Sequence, residues 1–252
     1  HIHYDDWVGL YDYIQYPCVC TSHFGYLERE EMFGGYVNIA NAFAKIQPRI
    51  FCLSEGIKKV YNVLMNIPKE KLFVSPNGVN CSAFRSTDAP HHADRSIYLA
   101  KIDYRKRQHL FQSIDSLYYA GNIADNRFDK EKNYLGEWTK EFLYNNLTEY
   151  GNLVLLSDGE AHPLVCMEAF AAGLGVVVTE WGKANLDVDR KFITVIPEKH
   201  IGDIEFLEYE IVKNREYSIN HREEILEYAE KFDWINIVRD YYIPNIEKVI
   251  SK

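Results

Sequence analysis

The 252-residue chain lacks any apolar run long enough to span a bilayer. The longest, Phe170 to Val178, falls far short of the roughly 20 residues that a membrane helix needs. No transmembrane helix is expected, and peripheral membrane contact is left open. Basic charge is in deficit: 28 Lys and Arg face 37 Asp and Glu, a net charge of −9. The net field therefore opposes nucleic acid, so none is expected as a partner, while a local basic pocket for a small anion stays compatible. Cysteines in metal-binding register are missing as well. The five present, Cys18, Cys20, Cys52, Cys81 and Cys166, are odd in number and form no second pair after Cys18-Val19-Cys20. They read as reduced thiols of a cytoplasmic protein. No acidic pair has metal-binding spacing, so no metal is expected. Short-period repeats and low-complexity tracts are absent too. The chain opens on His1 instead of Met, which raises the expectation of a fragment.

What is present is an alternation of strand and helix nearly from end to end. His1–Tyr4 reads as a short strand, and Asp5–Gln15 as a helix with Trp7, Leu10, Tyr11 and Ile14 on one face. Strands follow at Pro17–Thr21, Arg49–Leu53 and Lys71–Ser75, with helices at Tyr36–Lys45 and from the cap Ser54 to about Asn66. Ser86–Asp94 has no apolar period and reads as a linker, after which the pattern restarts. Strands are then expected at Ser96–Ile102, Ser116–Ala120, Leu153–Leu156, Gly175–Thr179 and Phe192–Ile196. Helices are expected at Lys106–Ile114, Thr139–Leu147, Pro163–Ala172 and from Asp203 onward. Such alternation with β-branched strands implies parallel sheets covered on both faces, and the restart implies two of them. Ligands in such sheets bind beyond the carboxyl ends of strands, which is where chemistry is sought.

The sharpest stretch runs from Ser157 to Gly173 and follows a strand into a helix. Pro163 suits the first helical turn, where its missing N–H costs nothing. The free amides there favour an anion such as a pyrophosphate. Glu160 precedes the helix and can face a ligand. Glu168 lies one to two turns inside, where a carboxylate can accept the paired hydroxyls of a ribose. A capped helix carrying a solvated Glu accounts for the same spacing.

This stretch resembles the E-x7-E motif of retaining GT-B glycosyltransferases of the family 4 type, with Glu160 and Glu168 on its two glutamates. Other segments are similar in the same order. Pro76-Asn77-Gly78-Val79-Asn80, followed by Phe84, resembles the family's segment at the domain junction, with Asn80 in place of the usual Asp. Ala100 to Lys106 resembles the segment that opens the second domain, with Lys101 standing for an Arg and Lys106 for a Lys. Leu117–Gly121 resembles a strand ending near the nucleotide. Tyr134-Leu135-Gly136-Glu137-Trp138 resembles a segment whose backbone meets the base, and Trp138 itself reads as core. Thr21-Ser22-His23 resembles a first-domain T-x-H segment.

The resemblance implies an α/β fold of GT-B type, with two Rossmann-like parallel-sheet domains facing a cleft and a C-terminal helix crossing back to the first. The domains are expected at residues 1–88 and 89–232, with the returning helix over 233–252. The implied activity moves a sugar from a UDP- or GDP-linked donor to an acceptor hydroxyl, with retention and without metal. Lys101 and Lys106 would hold the diphosphate, assisted by the amides near Pro163, Leu164 and Val165. Gly121, Gly136, Glu137 and Glu168 would contact the nucleoside. Glu160, His23 and Lys106 are the expected catalytic residues. No cofactor is expected beyond the donor substrate, and the acceptor would be a glycan, a lipid-linked sugar or a protein. Family members begin with strand, Gly-rich loop and helix units that this chain lacks. About 60–100 residues of the first domain are therefore expected to be missing or supplied by a partner chain. Gly34-Gly35 reads as an acceptor-side loop. A same-fold epimerase or phosphorylase, or a binding-only subunit, are the alternatives.

Overall fold

The computed structural model of the chain describes residues 1–3, 5–23, 37–87 and 89–251. Gly34 and Gly35 lie outside the described residues. The chain groups into two compact units. One comprises residues 1–77, 160–162 and 234–252, and the other residues 78–159 and 163–233. The start of the second unit is stitched to its end. The Val79 N–H donates to the Phe232 carbonyl at 2.8 Å, and the Cys81 N–H donates to Asp233 Oδ2 at 3.2 Å.

The first unit contains β1 (Cys20–Ser22), α1 (Val37–Ile46), β2 (Ile50–Cys52), α2 (Glu55–Val63) and β3 (Leu72–Val74). The strands are parallel and lie in the order β1-β2-β3. Alternation along them feeds two layers. Cys20, Ile50, Cys52 and Leu72 pack with Phe43, Ile57 and Tyr61 on one side, and Val19, Phe51 and Phe73 with Val249 on the other. Ser54 caps α2, its hydroxyl accepting from the Ile57 N–H at 3.2 Å.

Two expectations near the N-terminus are corrected. Over residues 1–3 a single bridge from Ile2 to Cys20 replaces the expected strand, whose last residue, Tyr4, lies outside the described residues. Asp5–Tyr13 is a 3-10 helix, whose three-residue turn selects a different face from the α-helical period. Val8 is buried and Tyr11 partly so, while Trp7, Leu10 and Ile14 are exposed.

The second unit contains β4 (His92–Leu99), β5 (Leu117–Ala120), α3 (Lys140–Asn146), β6 (Tyr150–Leu155), α4 (Leu164–Ala171), β7 (Gly175–Thr179), β8 (Ile193–Ile196), α5 (Ile204–Asn220) and α6 (Arg222–Ala229). All five strands are parallel, in the order β5-β4-β6-β7-β8. The expected linker gives up its last residues to β4, which starts at His92. The central β6 is buried along its whole length, as a strand covered on both faces must be. Asn152 is tolerated inside it because its Nδ2 donates to the Ile211 carbonyl at 3.0 Å and to Asn214 Oδ1 at 2.9 Å.

The chain then returns to the first unit through α7 (Trp234–Ile237), a π-helical turn Val238–Tyr242 and α8 (Ile243–Ile250). Asn245 Nδ2 donates to the Val74 carbonyl at 2.8 Å and to Ser75 Oγ at 3.1 Å, at the end of β3. The Tyr242 ring meets Phe51 edge-on at 5.5 Å. The returning helix anticipated from the sequence is thus in place. Among the described residues no helix is long and apolar enough to cross a membrane, and none of the five cysteines forms a disulfide.

Candidate functional site

In the second sheet the chain runs from β4 outward to β5 and then crosses back to β6 on the other side of β4. The strand order reverses between β4 and β6, so a crevice opens beyond their carboxyl ends. The loop after β4 carries Lys101, Arg105, Lys106 and Arg107, and the loop after β6 carries Asp158 and Gly159 before α4 begins.

The loop after β4 is wound into a turn, not the expected helix from Lys106 to Ile114. Asp103 Oδ1 accepts from the Arg105 N–H at 3.1 Å and from the Lys106 N–H at 3.0 Å. An Asp side chain that binds its own backbone two residues on offers the chain an alternative to helix. Arg107 then takes a left-handed φ of 58°, and only a short 3-10 turn over Gln108–Leu110 follows. The Tyr98 hydroxyl donates to the Lys106 carbonyl at 2.5 Å, and Gln108 Nε2 donates to the Lys101 carbonyl at 3.0 Å.

Two arginines fasten this turn to the neighbouring loop. Arg105 Nη1 donates to the Gly159 carbonyl at 2.6 Å, and the Asp158 N–H donates to the Arg105 carbonyl at 2.8 Å. Buried Arg107 pairs with Asp158 and, at 2.7 Å, with Glu198. The charge of Arg107 is thus met by two carboxylates within the protein. Lys101 is exposed and Lys106 buried on the same turn.

Gly121 follows β5 beside this turn. Its φ is +146°, and a Cβ there would lie 1.9 Å from the Ala100 carbonyl oxygen, so no other residue lets the two backbones approach so closely. Its N–H donates to the Gly136 carbonyl at 3.0 Å, and Tyr134 Oη donates to the Gly121 carbonyl at 2.9 Å. Gly136 has φ +84° with open space around it, and Glu137 next to it is exposed. Trp138 is half-buried and packs against the second core, edge-on to Phe142 at 5.0 Å.

Pro163 stands just before α4, and Leu164 and Val165 open it. First-turn amides of a helix have no acceptor inside it and point outward from its start. One helical stretch further in, Glu168 is only 5% exposed. Burial raises its pKa, and the hydrogen bond and charge of Lys140 oppose that rise. Lys140 opens α3, with Thr139 Oγ1 capping the helix by accepting from the Phe142 N–H at 3.2 Å.

Lys101, Lys106, Gly121, Gly136, Glu137, Pro163, Leu164, Val165 and Glu168 all belong to the second unit, whereas Glu160 and His23 belong to the first. Ala161, beside Glu160, packs against the first unit's core. His23 follows β1 with its ring edge-on to His3 at 4.5 Å. Burial, and then the charge of His3, lower its pKa below the ordinary imidazole value. Asp103 and Lys140 carry no signal of these contacts in the sequence, and Arg105 and Arg107 read there only as neighbours of the two lysines. The basic run at 105–107 was the visible signal for the two arginines, but it reads equally as a solvated helix start. Among the described residues no group of three or more His, Cys, Asp or Glu is placed to hold a metal ion.

No protein-family model matches the chain, and no curated protein sequence does. Solved structures do. HepE of Anabaena, in complex with UDP-glucose, is similar over 91% of this chain and 72% of its own, at 13% identity and a TM-score of 0.71. Sucrose-phosphate synthase of Thermosynechococcus elongatus is similar over 98% of this chain and 72% of its own, at 16% identity and a TM-score of 0.65. WaaG, a glycosyltransferase involved in lipopolysaccharide biosynthesis, is similar over 92% and 74%, at 13% identity and a TM-score of 0.63. Identities this low speak for the fold alone. The fold is the Rossmann-like GT-B fold, built here from two parallel α/β units.

Proposed function

We propose that the chain transfers a sugar from a nucleoside-diphosphate sugar, UDP- or GDP-linked, to an acceptor hydroxyl with retention and without a metal ion. The observation that carries this reading is the cationic turn after β4, fastened to the loop after β6 where the strand order reverses. A diphosphate leaving group needs positive charge and N–H donors already in position, since reorganising them during reaction would raise the barrier. Lys101 and Lys106 supply the charge, and the first-turn amides of α4 supply donors. The Gly136-Glu137 backbone is assigned to the base and Glu168 to the ribose hydroxyls. Glu160 is assigned to the donor sugar, where its carboxylate steadies positive charge developing at the anomeric carbon. His23 is assigned to the acceptor side. The acceptor is a hydroxyl of a glycan, a lipid-linked sugar or a protein. The complex of HepE with UDP-glucose supports a uridine donor first.

Calorimetric titration with UDP, GDP and ADP, in EDTA, tests the reading. One of them is expected to bind in the micromolar range. Lys106→Ala is expected to weaken that nucleotide about tenfold, a charge-assisted hydrogen bond's share, and to leave the bare nucleoside unchanged. Equal weakening of both would take Lys106 off the phosphates. Binding that needs a divalent ion would overturn the metal-free mechanism.

A further inference from the structure

Glu168 is buried, and its side chain pairs with a residue of opposite charge. Lys140 Nζ pairs with Glu168 Oε1, and the two side chains differ sharply in exposure, 59% for Lys140 against 6% for Glu168. The carboxylate is fixed by the packing of α4, whose residues from Cys166 to Ala171 are all buried. Lys140 sits on the first turn of a different helix, α3, on a long stem that is mostly in water. A ribose diol engages a carboxylate most strongly through both oxygens at once. With Oε1 held by the ammonium and the group nearly sealed from solvent, a ligand reaches Glu168 only if something moves. The mobile partner is Lys140, since an exposed ammonium regains its hydration when it swings away.

We infer that Lys140 is a lid on Glu168, closed over the carboxylate in the unliganded chain and displaced by the ribose of the incoming nucleotide. The inference rests on the assignment of Glu168 to the ribose. Lys140 is here a gating residue that opposes binding, unlike Lys106, whose charge favours it. While closed, it also serves the fold, because an ammonium on a buried carboxylate compensates part of the desolvation that the charge suffers.

Opposite changes at Lys140 test this. Lys140→Ala removes the lid and is expected to tighten UDP about fivefold, the worth of one half-exposed ion pair. Lys140→Arg presents a guanidinium that grips a carboxylate through two hydrogen bonds, and is expected to weaken UDP by a similar factor. Neither variant is expected to alter binding of 2′,3′-dideoxy-UDP, which has no diol to compete with. A merely structural role would make both variants bind more weakly and would spare no analogue. If Lys140→Ala weakens UDP while Glu168→Gln abolishes its preference over the dideoxy analogue, the ribose assignment stands and the lid is overturned. If the wild-type chain and all variants treat UDP and the dideoxy analogue alike, the ribose assignment itself fails and the lid with it.

Discussion

The two units share parallel strands covered on both faces, yet they use their strand ends differently. In the first, the strands are three residues long and follow one another in order. Polar groups at their ends are occupied within the unit. Ser22 Oγ lies 2.7 Å from Tyr61 Oη, His1 Nε2 lies 2.6 Å from Thr21 Oγ1, and Asn245 spans Val74 and Ser75. In the second, the order reverses between β4 and β6, and the strand ends feed loops that are braced against each other by arginines. The difference shows what a binding crevice requires beyond an open sheet. A reversal of strand order supplies the space, and bracing keeps the flanking backbone in one geometry when no ligand is there to hold it.

The largest expected effect tests whether that geometry is built into the backbone. Gly121→Ala would force a Cβ to within 1.9 Å of the Ala100 carbonyl oxygen at a φ of +146°. Either strain alone costs on the order of 1–3 kcal/mol, so a loss of about 3 kcal/mol or more is expected in denaturant unfolding, confined to the second unit. A loss below about 0.5 kcal/mol would mean that β4 and β5 can part without harm, and that the close approach is incidental. Arg107→Ala comes next. Removing one member of a fully buried ion pair costs about 3–5 kcal/mol. Asp158 and Glu198 keep 26% and 33% exposure, however, and water can partly hydrate them once Arg107 is gone. A cost of about 2 kcal/mol is therefore expected, together with weaker nucleotide binding because the turn loosens. Stability lost with affinity intact would separate the bracing from the crevice and break the comparison.

Strand order in the second unit was legible in the sequence because its strands carry short apolar runs bounded by clear breaks, although β4 opens on the polar stretch from His92 to Ser96. Gly175–Thr179 matches its expected bounds, Ser54 caps its helix as read, and Thr139 and Asp203, read as first helical residues, are the caps just before helices. The failures are places where the local period is overridden. Asp103 turns Lys106–Ile114 away from helix by capturing two N–H groups. Near the N-terminus, the pattern at Trp7, Leu10, Tyr11 and Ile14 fits an α-helical face, but the 3-10 winding brings Val8 and Tyr11 inward. At the site, Lys106, Gly121 and Glu168 could be singled out from motif order. Lys140 could not, because it meets Glu168 only in the folded chain, 28 residues away in sequence.

The smallest expected effect concerns the first unit and how fully its polar groups are committed. His162 is 4% exposed, and its Nδ1 accepts from the Asn77 N–H at 3.0 Å. A proton on Nδ1 would face that N–H and break the bond, so the native state needs the neutral ring. Burial lowers its pKa from 6.5 to about 4. The sign follows from linkage. Between those two values the unfolded chain binds the extra proton, so stability is full above pH 6.5 and falls as pH drops toward 4. Between pH 7 and 5.5 the expected loss is on the order of 1 kcal/mol, read as a falling midpoint for the transition of the first unit. His23 and His109, whose pKa values are also lowered by burial, add to the slope of the whole chain. His162→Asn isolates the residue, because an amide oxygen can accept from Asn77 but does not titrate. The variant is expected to flatten the acid side of the first unit's profile and to leave nucleotide binding at pH 7 unchanged. An unaltered slope would mean that His162 charges in place, and that the first unit's strand-end polar groups are less tightly committed than those bracing the second.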